Sequence, residues 1–160
     1  MKKKLCMIDA QNLWYTPKNN WNMKVDYKKL SVMIKRNCVQ DVDLYIYLVL
    51  DPLVSSDYFI SLLKSAGYKP QLKFIHQTDG TRFGNTDWCA DMIADGKQII
   101  RNGEYDSISV VSGNSIFQEL FRYAKAMGCA TEMCCFKEDY SEKLWKSVDK
   151  AVFLGKNMCF

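Results

Sequence analysis

The chain has 160 residues, of which 48% are apolar and 25% charged, and its net charge is +4 at pH 7. This composition is typical of one globular domain over residues 1–160 and excludes a disordered chain. No apolar run approaches the ~20 residues of a membrane-spanning helix. The apolar run 5–8, which follows the basic start, is also too short for the apolar region of a signal peptide. We therefore expect a cytoplasmic protein without a membrane partner, whose mildly basic charge permits a nucleic-acid partner without requiring one.

The first half of the sequence predicts alternating strands and helices. Continuous apolar runs predict buried strands, apolar residues at every third or fourth position predict helices, and Pro, Gly and Asn predict loops. In chain order the predicted elements are a strand at 4–9, a loop at 16–21, a helix capped by Asp26 that extends to Asn37, a strand at 42–50 and a helix from Ser55 or Ser56 to Gly67.

The second half continues the same alternation. The predicted elements are a strand at 72–75, a polar loop at 76–86, a helix from Asp87 to about Asn102 capped by Thr86, a strand at 107–111, a helix at 115–127, a strand at 130–136, a helix at about 141–150 and a short last strand at 151–154. Strands separated by helices of this length predict right-handed crossovers and a mainly parallel, doubly wound sheet. The expected fold is a single-domain three-layer α/β/α sandwich.

Polar side chains follow two of the predicted strands at the point where each strand ends. Asp9 ends the first strand, and Asn12 follows three residues later. Ser112-Gly113-Asn114-Ser115 follows the strand at 107–111 and precedes a helix, where backbone N–H groups favour a phosphate. Because strands of this kind place ligands at their carboxyl ends beside the switch point, we expect the two strands to be central and their polar ends to meet. The bland alternatives are a simple strand end at Asp9 and ordinary helix capping by Asn114 or Ser115.

A second acidic feature lies at the start of the predicted helix 87–102. Asp87, Asp91 and Asp95 are four residues apart and therefore share one helix face. The positive end of the helix dipole favours Asp87 and Asp91 without any ligand, and it does not reach Asp95, which we expect to face solvent. Carboxylates that meet in one crevice repel each other unless a divalent cation binds between them. We therefore expect Asp87 and Asp91 to join Asp9.

The remaining chemical side chains indicate no separate site. His76 is a candidate general acid if it faces the cleft, although a lone loop histidine is more often exposed. Trp14, Tyr15 and Trp21 follow Asp9, where they can stack bases or form a hydrophobic lid. The seven cysteines contain no C-x-x-C pair, so we expect reduced thiols rather than zinc ligands or a disulfide framework.

Three motifs together resemble the NYN domain family of PIN-like nucleases over nearly the whole chain. The motifs are Ile8-Asp9-Ala10-Gln11-Asn12, Gly84-Asn85-Thr86-Asp87 and Ser112-Gly113-Asn114-Ser115-Ile116-Phe117. The resemblance implies a PIN-like fold and a Mg²⁺- or Mn²⁺-dependent endoribonuclease that hydrolyses RNA phosphodiester bonds. It implies Asp9, Asp87, Asp91 and Asn114 as metal ligands, with Asn12 completing the catalytic set. The implied substrate-binding residues are Asn12, Lys73, Arg82, Ser112 and Ser115.

The chain departs from the family pattern at several positions. Members commonly read Ser-Gly-Asp-Ser-Asp-Phe, so Asn114 and Ile116 replace two acids. Ala10 stands where Gly is usual, and Phe83 stands where a Lys often precedes the Gly-Asn pair. Asn114 keeps an oxygen for a metal and loses the charge. A slow or inactive member is therefore the alternative to an active nuclease.

Other function classes stay open or are disfavoured by particular residues. A non-catalytic RNA-binding or scaffold protein on the same fold would keep the basic and aromatic surfaces without needing a metal. A phosphoacceptor receiver domain needs an additional acid pair near the first strand, where the run 8–12 supplies only Asp9. A dinucleotide-binding protein is disfavoured because no G-x-G-x-x-G follows that strand. The oligomeric state is open, and a homodimer is one alternative.

Overall fold

A parallel sheet of six strands forms the centre of the protein. The computed structural model describes residues 2–74, 76–78, 81–83 and 88–160, of which 76–78 and 81–83 are described by their backbone alone. The strands of the sheet are β1 (Lys3–Asp9), β2 (Val42–Leu50), β3 (Tyr68–Phe74), β6 (Tyr105–Val111), β7 (Ala130–Phe136) and β8 (Lys150–Leu154), while β4 (His76–Thr78) and β5 (Thr81–Phe83) form a separate antiparallel pair. The strand order is β3-β2-β1-β6-β7-β8, and every pairing in this sheet is parallel.

Helices cover both faces of the sheet. They are α1 (Ala10–Trp21), α2 (Tyr27–Arg36), α3 (Asp57–Ser65), α4 (Trp88–Arg101), α5 (Gln118–Ala126) and α6 (Glu142–Lys146). Apolar residues of α1, α2 and α3 pack in one core on one face, and those of α4, α5 and α6 pack in a second core on the other. The three-layer α/β/α architecture with a parallel sheet is therefore confirmed.

The strand order places the predicted site at the middle of the sheet. Strand β1 lies between β2 and β6, so the chain proceeds outward from β1 in one direction and returns to β6 to continue in the other. At such a reversal the connections after the two central strands leave on opposite faces, and a crevice opens at their carboxyl ends. The expectation that the first strand and the strand after the acidic helix are central is confirmed.

The predicted loop at 16–21 is wrong, because this segment belongs to helix α1. The Asp9 carboxylate caps the helix, and Leu13, Thr16 and Pro17 are buried beneath it. The free energy gained by burying these side chains against the sheet outweighs the cost of the one backbone hydrogen bond that proline cannot donate. The helix ends instead at Asn22, which has a left-handed backbone (φ 51°) and whose N–H donates to the carbonyl of Pro17.

The region around the third strand also differs from the prediction. Strand β3 begins at Tyr68 rather than at 72, since an edge strand accepts Pro70 at a position that pairs with Ile46. The predicted polar loop at 76–86 contains the β4–β5 hairpin, whose two strands pair from His76↔Phe83 to Thr78↔Thr81. Residues 84–87, and with them the predicted cap Thr86, lie outside the described residues.

Two helices in the second half are shorter than predicted. The segment 115–117 is a 3₁₀ turn capped by Asn114, and the α-helix begins only at Gln118. The last helix ends at Lys146 because Asp149 then accepts hydrogen bonds from the backbone and hydroxyl of Thr131, which draws the chain into β8. The predicted Asp26 cap is confirmed, since its carboxylate accepts from the Lys29 N–H at 3.0 Å.

Candidate active site

The Asp9 carboxylate is the buried centre of the carboxyl edge of the sheet. Asp9 is 4% exposed. Its Oδ1 accepts the backbone N–H of Asn12 at 3.3 Å, and its Oδ2 accepts the Ser112 hydroxyl at 3.1 Å. The Cys89 thiol donates to the same Oδ2 at 3.8 Å. Burial raises the pKa of Asp9 above its usual value, and these hydrogen bonds act in the opposite direction by favouring the charged form.

The alternation of side chains along β1 explains which face Asp9 occupies. Leu5 and Met7 lie in the core beneath α4 and α5, and Asp9 is two residues further along the same face. This geometry brings Cys89, in the first turn of α4, against the carboxylate. The sequence prediction that Asp9 meets the loop after the strand ending at Val111 is borne out by the Ser112 contact.

The Asn12 side chain joins α1 to the loop after β6. Its Oδ1 accepts the backbone N–H of Gly113 at 3.0 Å. A side chain at Gly113 would overlap the backbone carbonyl of Asp139, so only glycine permits this close approach. One turn along α1, the Thr16 hydroxyl donates to the Asp139 carboxylate. Helix α1 is therefore bound to the loops that follow both β6 and β7.

Asn114 presents its amide nitrogen, not its oxygen, to the cluster formed by Asp9, Asn12, Cys89 and Ser112. Its Oδ1 accepts the N–H of Ile116 at 3.1 Å, which caps the 3₁₀ turn, while its Nδ2 contacts the Cys89 sulfur at 3.8 Å. Its backbone N–H donates to the Ser112 hydroxyl at 3.2 Å. Ser115 follows as the first residue of the turn and is exposed to solvent. The Ser112 hydroxyl thus links Asp9 to Asn114, and Asn114 and Ser115 form the exposed rim.

Cys89 is a member of the cluster that the sequence analysis missed. Its half-buried sulfur contacts both Asp9 and Asn114. Burial, reinforced by the Asp9 carboxylate, raises the pKa of the Cys89 thiol to about 11, so the thiol is neutral at pH 7. The spacing Asp87-x-Cys89 carries no general signal, and only the contact with β1 identifies it.

Asp139 was also missed, and in this case a sequence signal existed. Lys137-Glu138-Asp139 directly follows β7, just as Asp9 ends β1 and Ser112 follows β6. The rule that selected those residues would also have selected Asp139, since β7 lies next to β6. Its carboxylate accepts the Thr16 hydroxyl, so it acts in this structure as an anchor for α1.

Asp91 is paired with a lysine rather than with Asp9. Lys73 Nζ, from the end of β3, lies 2.7 Å from Asp91 Oδ2 and 4.9 Å from the centre of the Trp88 ring. No hydrogen bond among the described residues joins Asp91 to Asp9. The two predicted site residues Lys73 and Asp91 are therefore brought together as an ion pair, in which each partly compensates the charge of the other.

Asp95 does not simply face solvent, contrary to the sequence expectation. It is half-buried, and its carboxylate accepts the Tyr47 hydroxyl at 3.2 Å. Burial raises the pKa of Tyr47, and the neighbouring Asp95 raises it further, so the phenol stays protonated and donates. Tyr47 is also the register partner of Asp9 in β2, which places this bond close behind the site.

Three of the predicted side chains lie outside the described residues. Asp87 immediately precedes α4 in the sequence and belongs to the undescribed segment. Arg82 and His76 are located by backbone only, in β5 and β4. The roles assigned to these three residues stay predictions.

The described residues on their own do not complete a divalent-cation site. Within the described parts of the chain, no group of three or more His, Cys, Asp or Glu side chains is arranged to hold a metal ion. Mg²⁺ and Mn²⁺ prefer several oxygen ligands. Among the described residues Asp9 supplies the only carboxylate bonded to Ser112 and Cys89, since the nearby Asp139 carboxylate is bonded to Thr16. The Asn114 oxygen is already used as a cap, and Asp91 is bound to Lys73. Asp9 therefore suits a hard cation, whereas Asn114 and Asp91, as oriented here, do not.

Comparison with solved structures supports the fold. A solved structure of a protein of unknown function from Vibrio parahaemolyticus matches with a TM-score of 0.82 and 20% identity, over 99% of this chain and 96% of that chain. At this identity the likeness shows the fold alone. A comparison with curated proteins gave no match. Among the described residues, none of the helices has both the length and the hydropathy to cross a bilayer.

The family comparison covers almost the entire chain. The model of the NYN domain matches residues 5–155, a range that includes β1 with Asp9, the start of α4 and the loop after β6. The matched range contains all three sequence motifs, and the first and third of them supply Asp9, Asn12, Ser112 and Gly113 to the hydrogen bonds at the carboxyl edge. The chain therefore belongs to the NYN domain family, whose members are nuclease-like.

Proposed function

We propose that this protein is an endoribonuclease that hydrolyses RNA phosphodiester bonds at the carboxyl edge of its sheet. The observation that carries the proposal is the Asp9 carboxylate, buried at the switch point, held by Asn12, Ser112 and Cys89, and raised in pKa by burial. A buried carboxylate with a raised pKa at a sheet edge costs stability, and functional sites are where such costs are found. Family membership supports nucleic acid as the substrate.

The proposed cofactor is Mg²⁺ or Mn²⁺, held by Asp9 together with Asp87, which directly precedes α4. A cation bound there would lower the pKa of a coordinated water and stabilise charge on the phosphate. Asp91 would contribute only after leaving its ion pair with Lys73, which frees that lysine to bind a phosphate. In this proposal, binding of the cation at Asp9 and Asp87 is therefore coupled to the breaking of the ion pair between Asp91 and Lys73.

The protein's own residues hold the reacting groups in place. Ser112 and Asn12 fix Asp9 through one side-chain and one backbone hydrogen bond. The Asn114 amide nitrogen and the exposed Ser115 hydroxyl provide donors at the rim, where phosphate oxygens would bind, and Arg82 is the proposed third contact. In the hydrolysis, the water oxygen forms a bond to phosphorus while the bond from phosphorus to the leaving ribose oxygen breaks, and a proton lost by the water is balanced by one that the leaving oxygen takes up from solvent.

A specific observation favours a second candidate, a non-catalytic RNA-binding protein. Asn114 replaces an acid and turns its amide nitrogen to the cluster, and Asp91 is neutralised by Lys73. Both features lower the negative charge that an approaching phosphate would meet, which favours its binding even without a cation. This candidate predicts RNA retention without cleavage.

Cleavage of a mixed RNA pool by the purified protein separates the two candidates. We expect cleavage with Mn²⁺ or Mg²⁺, and none when EDTA is in excess. Retention of intact RNA with no cleavage under either metal would support the binding protein. Cleavage at full rate in excess EDTA would contradict the metal-dependent mechanism.

A further inference from the structure

An open groove lies beside Asp9 on the α1–α3 side of the sheet. Its volume is about 900 Å³. It begins at Ala10 and Gln11, which directly follow Asp9, and its floor contains Leu48 and Leu50 at the carboxyl end of β2. The groove therefore opens at the same edge of the sheet as the candidate active site.

The walls of the groove are formed by aromatic side chains. Trp14 and Tyr15 extend from α1, Tyr58 and Phe59 come from the first turn of α3, and Phe160 also lines the groove. Trp14 is 51% exposed and Tyr58 is 83% exposed. Trp14 and Tyr15 meet edge to face with their centres 5.3 Å apart, so the two rings present different faces. Aromatic side chains exposed in this way bind planar groups by stacking.

The charged side chains that line the groove indicate which kind of molecule would bind in it. Lys24 and Lys28 line the groove and are exposed, while the carboxylate of Asp26 between them is already used to cap α2. The capping carboxylate keeps its charge, so the two lysines and Asp26 leave one net positive charge among the lining residues, which suits a phosphate backbone. Exposed aromatic faces beside lysines match unpaired bases and their phosphates, since bases in a duplex have no free face to stack.

We propose that the groove binds single-stranded RNA, with unpaired bases stacked on Trp14 and Tyr58 and phosphates beside Lys24 and Lys28. This proposal rests on the proposed function, because the groove opens at the same carboxyl edge of the sheet and would hold a stretch of the RNA next to the part that is cleaved. It further states that the protein selects unpaired over paired RNA. Trp14 and Tyr58 are binding residues in this scheme and take no part in the bond cleavage.

Equilibrium binding of fluorescent RNA in EDTA tests the groove without cleavage. The probes are a single strand of about 12 nucleotides and the same strand annealed to its complement. Trp14→Ala and Tyr58→Ala should each weaken binding of the single strand by about tenfold, and Trp14→Phe should restore most of it. The matched control is Trp145→Ala, since Trp145 is 48% exposed but lies on α6 beneath the other face. It should change binding by less than about twofold.

The outcomes distinguish this proposal from the proposed function. Loss of single-strand binding in Trp14→Ala together with unchanged binding in Trp145→Ala supports the groove, whether or not the wild type cleaves RNA. Wild-type affinity in both Trp14→Ala and Tyr58→Ala overturns the groove, even if the protein proves to be a nuclease. Equal affinity for the single strand and the duplex also overturns it. If sedimentation velocity shows a dimer that Trp14→Ala dissociates while RNA affinity is unchanged, the groove is instead a contact between two copies of this chain.

Discussion

Asp9 is a charged group in a place from which water is almost excluded. Only 4% of its surface is exposed, and the groups that surround it are the neutral donors of Ser112, Cys89 and the Asn12 backbone. Neutral donors stabilise the carboxylate less than a positive charge would. The net result is the raised pKa of Asp9. The site is therefore strained electrostatically, and an added cation or the removal of the charge should relieve it.

Asp9→Asn should stabilise the protein at pH 7 and lose this advantage in acid. Because burial raises the folded-state pKa above the ordinary 3.8, stability falls as pH rises between those two values and stays reduced above both. The asparagine variant carries no such cost. Its melting temperature should exceed that of the wild type at pH 7, and the difference should shrink as the pH falls toward 3.8.

Thermal unfolding from pH 3.5 to 8 measures this difference. Asp41→Asn is the matched control, because Asp41 is exposed and precedes β2 at the opposite edge of the sheet. It should show no pH-dependent gain. A melting temperature of Asp9→Asn below that of the wild type at pH 7, or a difference that does not vary with pH, would contradict the account.

Asn114→Asp should tighten Mn²⁺ binding. The aspartate oxygen can still accept the Ile116 N–H, so the cap is kept, and the second oxygen replaces the amide nitrogen that now contacts Cys89. A second carboxylate close to Asp9 repels it in the absence of metal and is compensated when a cation binds. We expect affinity to rise by at least about tenfold, measured by isothermal titration. Equal affinities would place Asn114 outside the metal shell.

At the scale of elements, helix α1 holds the carboxyl edge together. Asp9 caps it, Asn12 binds Gly113 after β6, and Thr16 binds Asp139 after β7. Asn12 and Thr16 are one turn apart and therefore face the same side of the helix. The groove residues Trp14 and Tyr15 lie on another side. One helix thus separates the proposed base-binding groove from the loops that position Asp9.

Thr16→Val should destabilise the protein by about 1–2 kcal/mol, because the shape is kept while the partner of the Asp139 carboxylate is lost. Thr16→Ser keeps the hydroxyl and serves as the control, with a smaller loss from the missing methyl group. Urea unfolding of the three proteins measures the effect. A Thr16→Val variant as stable as the wild type would show that the bond to Asp139 contributes nothing to the anchoring of α1.

At the scale of the whole molecule, the sequence predicted the architecture better than the local segments. The positions of the buried strands depend on the burial of apolar residues, and any apolar residue in a run meets that requirement. The sheet and its central strands were therefore predicted correctly. The helix at 16–21 was missed because packing of Leu13 and Thr16 against the sheet overrides the local effect of Pro17. The hairpin β4–β5 was missed because its strands are short and polar.

The site was predictable only where a strand end defines it. Asp9 and Ser112 follow from that rule and meet as expected. Cys89 lies in the cluster through tertiary contact alone, and the pairing of Asp91 with Lys73 depends on where the end of β3 lies relative to α4. Contacts of this kind between distant segments carry no signal in sequence spacing. The role of Asp87 stays a prediction.

The most direct test of the account compares RNA cleavage by the wild type with cleavage by Asp9→Asn, Asp87→Asn and the control Asp41→Asn, all with saturating Mn²⁺. Each asparagine keeps the shape of the residue it replaces, so fold and RNA contacts should survive. We predict that Asp9→Asn and Asp87→Asn each lower the rate by at least about 100-fold. RNA retention in EDTA should stay within about twofold of the wild type, and Asp41→Asn should cleave normally. An Asp9→Asn protein that cleaves RNA at the wild-type rate would contradict the central claim that this carboxyl edge is the active site.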